Sequence, residues 1–441
     1  MSEERNWPRA GPAWGMVALL TVAYLFSYVD RTMLGLLIQP IKADLGLSDE
    51  EIGWLLGPAF AIFYATMGLP LGWMVDRKRR TWLIAAGVAL WSLATIACGL
   101  ARSFGQLFVA RMTVGVGEAV LSPAALSIIG DSFPPERRGK PIAVYSMAIT
   151  LGAGLASLIG AAVLAWAKGR PDLSLPGIGA LAPWQATFIA VGAPGLLVAL
   201  AFLFPRDPPR RAAVSAAAGL AGNGMGDTLR YIGERWTTYA SFVSLMCVGT
   251  IVAYSHGFMP AVFERSWGWP PEVYAARNGA AILLIGPATY LLAGTLADRW
   301  SSRGVTDAPL RILIAAIALL VPTAALPMFM PNAWAAFGLL CLNTLAIGAA
   351  SAVGVTALLS ITPAMIRGQV IALYYMAISL TGLLLGPTTV GILSTRVFGE
   401  ADIRYAMATL PLMYGILPLI IVPFTLRRYR AQMVRLGTAA G

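Results

Sequence analysis

Long, continuous apolar segments follow one another along the whole chain, separated by short polar ones. Within these segments apolar and polar residues do not alternate, so each segment predicts a helix rather than a strand. About 20 apolar residues are enough for a helix to cross a bilayer, and a backbone inside lipid must satisfy its own hydrogen bonds. The pattern therefore predicts an all-α membrane protein. Its twelve spanning helices are expected over residues 14–38, 51–75, 81–101, 105–132, 141–167, 184–204, 237–262, 273–297, 310–330, 333–361, 369–395 and 404–426.

The segment 205–235 interrupts this pattern between the sixth and seventh spans. It is rich in Pro, Gly, Ala and Arg and has no apolar periodicity, which is typical of a linker. The sequence thus predicts an N-terminal six-helix bundle over 1–204, a cytoplasmic linker over 205–235 and a C-terminal six-helix bundle over 236–441.

The two predicted bundles are copies of one unit. The segment IAVYSMAIT at 142–150 returns 229 positions later as IALYYMAIS at 371–379, and the same offset carries Arg138 onto Arg367. Parallel repeats in so apolar a chain are typical of secondary transporters, whose substrate site lies between the repeats near the bilayer midplane.

Composition and charge support this class. Hydrophobic residues make up 58% of the chain and charged residues 12%, about half the charge of a soluble domain. Most of the 32 Lys and Arg residues fall on cytoplasmic segments if the N-terminus is cytoplasmic, so the net charge of +11 is interpreted as a topology signal. We expect a multi-pass protein of the bacterial inner membrane with both termini in the cytoplasm and no nucleic-acid partner.

Four charged residues fall inside predicted spans. Asp30 and Arg31 lie near the middle of the first span, and Arg111 and Glu118 lie seven residues apart on the fourth. A lone charge at this depth costs about 3 kcal/mol, so it is expected to line a cavity or to have a partner. Seven residues are nearly two helical turns, so Arg111 and Glu118 project from one face about 10 Å apart.

Two pairings follow from this spacing, Asp30 with Arg111 or Arg31 with Glu118. Asp30 and Glu118 are the predicted proton-coupling residues, and a static ion-pair network that only fixes helix packing is the alternative. In the second repeat the positions of Arg111 and Glu118 are Leu340 and Ile347. This asymmetry predicts that one bundle handles protons while the other offers an apolar wall to an amphipathic substrate.

The loops between spans carry a family resemblance. The stretch GWMVDRKRR at 72–80, its second copy at 294–303 and PPERRG at 134–139 resemble the loop signature of the major facilitator superfamily, which implies the two-bundle major facilitator fold. In that family such loops form the cytoplasmic gate. The resemblance implies gate roles for six residues, Asp76, Arg77, Arg138, Asp298, Arg299 and Arg367.

Within that superfamily the motifs are similar to those of the spinster family. They are YVDRTML at 28–34, RMTVGVGEA at 111–119 and FPPERRGK at 133–140. The resemblance implies proton-linked transport of a lysophospholipid or a sphingoid phosphate. It places Asp30 and Glu118 in the proton roles, with Arg31 or Arg111 near the substrate head group.

Further cavity positions are predicted on other spans. His256 is the single histidine, and the repeated aromatic and Met positions of spans five and eleven support helix packing as well as substrate contact. The full set of possible cavity residues is Tyr145, Met147, His256, Asn343, Tyr375 and Met376.

The function predicted from the sequence is a proton-coupled transporter that moves an amphipathic lipid by alternating access. A multidrug/proton antiporter and an organic-anion/proton symporter are the alternatives. An enzyme is not expected, because the chain has one histidine and no clustered metal ligands or nucleophile–base set. The expected partners are the substrate, protons and membrane lipids, with no cofactor, no metal and a monomeric chain.

Overall fold

Helices form nearly all of the chain in the computed structural model, which describes residues 7–134, 137–170, 174–175, 179–210 and 225–439. In the part preceding residue 211 the helices are α1 Ala10–Leu36, α2 Ile38–Leu45, α3 Asp49–Leu56, α4 Pro58–Val75, α5 Arg80–Leu100, α6 Phe104–Glu118, α7 Leu121–Ser132, α8 Gly139–Lys168 and α9 Pro183–Ala201. After residue 224 they are α10 Met225–Glu234, α11 Trp236–Ser255, α12 Met259–Trp267, α13 Pro271–Ser302, α14 Ala308–Ala325, α15 Ala333–Ser360, α16 Arg367–Leu393, α17 Ile403–Ile420 and α18 Val422–Ala439.

Eleven helices within the described residues are long and apolar enough to cross a membrane, where the sequence predicts twelve. The exception is the predicted second span, 51–75, which consists of the two helices α3 and α4 separated by Gly57. Pro58 has no backbone N–H to continue the ladder of the preceding helix, so it begins a new one. Ser48 and Glu51 form a capping box that fixes the start of α3.

The predicted fourth span also contains a break, between α6 and α7. Pro123 cannot donate to the carbonyl of Ala119, so the helical ladder weakens at this point. Glu118 is the last residue of α6. The local sequence thus places this carboxylate at a helix end inside an otherwise continuous span.

Several boundaries differ from the sequence prediction by a few residues, and two of the differences add a helix. Residues 225–234, predicted as part of an irregular linker, form the helix α10, whose Thr228 hydroxyl is buried in a hydrogen bond with Gln369. The twelfth span ends at Ile420 rather than 426, and the chain continues as the separate helix α18. A short antiparallel pair of strands, β1 Ser174–Leu175 and β2 Gly179–Ala180, was not predicted.

The chain divides into two units. One comprises residues up to Arg211 together with Gly257–Leu283, and the other comprises Ala212–His256 with Leu284–Gly441. In the first unit α1 packs on α8, and α5 packs on α6 and α9; in the second, α11 packs on α16 and α14 on α15. The predicted division into bundles at 204 and 236 stays a prediction.

Candidate functional site

An ion pair joins α1 to the end of α6 inside the first unit. Nε of Arg31 donates to Oε2 of Glu118 over 2.7 Å, and a terminal nitrogen of the same guanidinium lies 2.6 Å from that oxygen. The hydroxyl of Ser27, one turn earlier on α1, donates to Oε2 as well, over 2.7 Å. Of the two pairings that the sequence allows, the structure therefore contains Arg31 with Glu118.

The ion pair is enclosed on one side and open on the other. The Glu118 side chain is 1% exposed, whereas the Arg31 side chain is 19% exposed. The Arg31 guanidinium carbon lies 4.7 Å from the ring centre of Phe60, 5.1 Å from that of Tyr64 and 5.8 Å from that of Tyr28. Aromatic faces attract a guanidinium at these distances, so three rings hold Arg31 in place while part of it stays accessible.

Asp30 and Arg111 form the deeper part of the site. Both are buried, at 2% and 3% exposure, and the charges acting on Asp30 are those of Glu118, Arg111 and Arg31. Within the described residues, Oδ1 of Asp30, Oε1 of Glu118 and Nε of Arg111 have no hydrogen-bond partner. Two carboxylates and two arginines thus share one buried region with hydrogen-bonding capacity left over.

Close helix packing creates this arrangement. A Cβ atom on Gly115 would lie 2.6 Å from the carbonyl oxygen of Phe60, and one on Gly117 would lie 2.8 Å from the Gly87 oxygen and the Trp91 nitrogen. Only glycine lets α6 approach α4 and α5 this closely. The glycines therefore bring the ring centre of Phe60 to 5.7 Å from the guanidinium carbon of Arg111, and they fix the position of Glu118.

The predicted gate residues are exposed or half-buried. Asp76, Arg77 and Arg138 lie in loops, whereas Asp298 and Arg299 lie within α13 and Arg367 begins α16. Asp76 is exposed and forms no ion pair with another described residue, so the structure does not bring it to Arg138. Arg138 instead donates to the carbonyl of Phe133 over 2.9 Å, and its repeat partner Arg367 donates to that of Thr362 over 3.2 Å. The 229-residue offset relates both pairs, so the repeat preserves this local bond. Of the other predicted gate residues, Arg77 stacks on a Trp ring and two are exposed, Asp298 and Arg299.

Sequence analysis missed a buried charge cluster close to these loops. Arg80, 1% exposed, pairs with Asp131 and with Asp207 over 2.9 Å, and it also donates to the Pro208 carbonyl. Asp131 lies at the end of the predicted fourth span, and Asp207 lies three residues after the predicted sixth span. Acidic residues at span ends next to a run of basic residues were the available signal.

A second missed cluster lies where α2, α3 and α12 meet within the first unit. Asp49 is fully buried and receives two bonds from Arg265, over 2.6 and 2.8 Å, and one from Lys42 over 2.5 Å. Arg265 also donates to Gln39 over 3.2 Å. Arg265 lies 216 positions from Asp49, whereas Lys42 and Gln39 lie close to it in the chain, so no local motif marks the whole Asp49 cluster.

The predicted cavity residues have diverse surroundings. Asn343 is fully buried, and its amide nitrogen donates to the Leu320 carbonyl and the Thr323 hydroxyl, so it joins α14 to α15. Its cavity position stays a prediction. Tyr145 is 4% exposed and its ring packs 5.2 Å from that of Tyr24. His256 is half-buried, Tyr375 and Met376 are exposed, and the side chain of Met147 lies outside the described residues.

This fold and this buried charged site define a class. Residues 20–306 match the family model of the Major Facilitator Superfamily, and the chain belongs to that superfamily. It is an integral multi-pass membrane transporter, not an enzyme. The structure resembles a bacterial homologue of the human lysosomal transporter spinster, crystallised in an inward-facing, unoccupied conformation. The TM-score is 0.79 and the identity 25%, over 98% of this chain and 99% of that one.

Sequence relatives agree with the spinster type and also include efflux proteins. The chain is 33% identical over 147 residues to Protein spinster of Drosophila melanogaster, covering 33% of this chain and 24% of that protein. It is 32% identical over 306 residues to an MFS-type efflux pump of Mycolicibacterium smegmatis, covering 68% of this chain and 65% of the pump. The matches thus span less than two thirds of these relatives.

Proposed function

We propose that the chain is a proton-coupled transporter of an amphipathic lipid with an anionic head group, such as a lysophospholipid or a sphingoid phosphate. The observation that carries this proposal is the Arg31–Glu118 ion pair. It lies in a spanning segment, three aromatic rings hold its arginine, and 19% of that arginine side chain is exposed.

The Glu118 carboxylate and the substrate head group compete for Arg31 in this mechanism. Without substrate, the Glu118 carboxylate accepts the hydrogen bonds of the Arg31 guanidinium. An anionic head group that reaches Arg31 needs the same donors, and the planar fork of Arg suits phosphate oxygens. Uptake of a proton by Glu118 removes its negative charge and releases Arg31 to the head group. Loss of the proton restores the ion pair and expels the substrate. The Glu118 carboxylate and the anionic head group thus alternate as the partner of Arg31.

The remaining residues have supporting roles in this proposal. Asp30 exchanges protons with the same region and Arg111 balances its charge. The lipid tail lies against the aliphatic positions Leu340 and Ile347 of the second repeat. The superfamily gate is formed at the predicted cytoplasmic end by the loops that contain Asp76 and Arg138. The protein acts as a monomer in a bacterial inner membrane, with both termini cytoplasmic.

A drug/proton antiporter is the second candidate, because one sequence relative is an efflux pump. In that mechanism a lipophilic cation is drawn to the bare oxygen of Asp30 or Glu118. The two candidates differ in the sign of the substrate charge, which an experiment can separate.

Transport into liposomes by the purified protein tests the proposal. A labelled lysophospholipid, a lipophilic cation and an organic anion are compared with and without a pH gradient. We expect gradient-dependent lysophospholipid transport that falls at least tenfold in Arg31→Ala, because the head group loses its charged anchor. Glu118→Gln should remove the dependence on pH. Faster cation transport that Arg31→Ala leaves unchanged would favour the antiporter and contradict the proposal.

A further inference from the structure

The two oxygens of Glu118 have unequal surroundings. Oε2 accepts from the Ser27 hydroxyl and from two nitrogens of Arg31, all within 2.7 Å. Oε1 is buried and has no partner among the described residues. A carboxylate held in this way presents one occupied and one free oxygen.

In the proposed transport cycle, the bonds that Ser27 and Arg31 donate to Glu118 have different fates. The guanidinium of Arg31 is the group that an anionic substrate takes over, so its bond to Glu118 is lost when substrate binds. The Ser27 hydroxyl is buried, with the residue 1% exposed, and lies one turn away on the same helix. Its bond to Oε2 does not involve the Arg31 guanidinium.

We propose that Ser27 is a positioning residue for proton coupling, whose hydroxyl holds Oε2 of Glu118 so that Oε1 takes up the proton. This inference rests on the proposed function, in which Glu118 is a coupling carboxylate. The proton comes from water and forms an O–H bond at Oε1, and the carboxylate loses its negative charge. Ser27 then continues to donate to Oε2 of the neutral acid, although more weakly.

The other titratable groups near Glu118 are the same in the parent and in every Ser27 variant. The charged ones are Arg31 and Asp30 on α1 and Arg111 on α6. The neutral ones are Tyr28 on α1, beside Arg31, and three residues on the packed helices, Tyr64, Cys98 and Tyr145. Removing the Ser27 hydroxyl changes none of these groups, so a shift in pH dependence reports on the Ser27–Glu118 bond.

The test is the pH profile of lysophospholipid transport in Ser27→Ala and Ser27→Thr. A hydrogen bond to a carboxylate favours its ionised form, so its removal favours proton uptake. A hydrogen bond to a charged group corresponds to a shift of about one pH unit or more. We expect the half-maximal pH to rise by about one unit in Ser27→Ala and to stay at the parent value in Ser27→Thr, which keeps the hydroxyl.

Ser92→Ala is the matched control. Its hydroxyl is also buried in a span of the first unit, and it has no hydrogen-bond partner among the described residues. This variant should keep the parent profile. If Ser27→Ala does not fold, Ser27→Cys replaces it, because the thiol is a weaker donor and should give a smaller shift in the same direction.

The outcomes separate this inference from the proposed function. An unchanged pH midpoint in folded Ser27→Ala or Ser27→Cys overturns the positioning role, even if Glu118→Gln abolishes pH dependence as proposed. Persistent pH dependence in Glu118→Gln overturns the proposed function itself. A rise in the midpoint with Ser27→Ala, reversed in Ser27→Thr and absent in Ser92→Ala, supports the inference.

Discussion

Two arginines, Arg31 and Arg80, are stabilised by different kinds of contact. Arg31 keeps partial exposure and combines a carboxylate with aromatic faces, which suits the exchange of partners in the proposed function. Arg80 is fully enclosed by two carboxylates, a hydroxyl and a carbonyl. Breaking such a buried pair by removing one partner is costly because the other charge is left behind. The first arrangement suits function, and the second suits structure.

Asp307 belongs to the structural group and gives a prediction about pH. Burial alone would raise the pKa of Asp307, but hydrogen bonds and positive charge from Arg430 and Arg311 hold it below its usual value. A lowered pKa stabilises the fold at pH values above the unfolded-state pKa of about 3.9, and this contribution is lost as pH falls through the folded-state pKa. We expect Asp307→Asn to lower the melting temperature at pH 7, and the difference from the parent to shrink toward zero below about pH 4.

Thermal unfolding in detergent at several pH values measures this effect. Asp402→Asn is the control, because its exposed carboxylate lies 3.9 Å from Arg404 and exposed pairs contribute little. A difference between parent and Asp307→Asn that stays constant down to pH 3 would show that ionisation of Asp307 does not stabilise the fold.

At the scale of elements, proline and glycine decide how the predicted spans are shaped. Pro58 and Pro123 interrupt two of them, and the second interruption leaves Glu118 at a helix end. Gly115 and Gly117 on α6 remove the side chains that would keep neighbouring helices apart. The same helix thus carries the proposed coupling carboxylate and the small residues that position it.

Gly117→Ala should therefore destabilise the protein and disturb the site. Its Cβ would lie 2.8 Å from two backbone atoms of α5, and backbone cannot move aside cheaply. Overpacking of this kind costs about 1–3 kcal/mol. We expect a lower melting temperature and slower transport. Gly105→Ala is the matched control on the same helix, since nothing lies within 4 Å of its added Cβ. Equal stability of the two variants would contradict the packing argument.

At the scale of the molecule, the segment Gly257–Leu283 belongs to the first unit although it continues from the second in sequence. The Asp49 cluster is one of its attachments, with Arg265 of α12 bound to the buried carboxylate through two bonds. Close approach of Gly279 to Gly154 is another, since a Cβ on Gly279 would lie 2.6 Å from the Gly154 oxygen. A transporter that alternates between states must release such attachments if this segment moves.

Asp49→Asn should loosen this segment. The amide cannot hold two cations in place of a carboxylate, so Arg265 and Lys42 lose their shared partner. We expect faster hydrogen exchange in peptides that cover α12 and α2. Glu272→Gln is the control, because the Lys168–Glu272 pair is a more exposed ion pair, with side chains 41% and 21% exposed. Unchanged exchange in Asp49→Asn would show that the cluster does not hold the segment.

The sequence alone determined the class of fold, because the cost of unpaired backbone and charge in lipid leaves few alternatives. Apolar length predicted the helices, and the repeat predicted two related halves. Charge at membrane depth identified Asp30, Arg31, Arg111 and Glu118 without any structure. The spacing also limited the pairings to two, since only certain faces of two helices can meet.

Only the tertiary structure decided between those pairings, because the choice depends on how close α6 comes to α4 and α5. Gly115 and Gly117 allow this approach, and the backbone atoms that they contact are distant in sequence. It also revealed the partners of Arg80 and the bond of Arg265 to Asp49, which join distant parts of the chain. Asn343 is a further example. As a polar residue in a span it fits the pattern for a cavity position, and only the structure shows that its amide bonds to a neighbouring helix. Local patterns fix what a residue needs, and packing in three dimensions decides which partner supplies it.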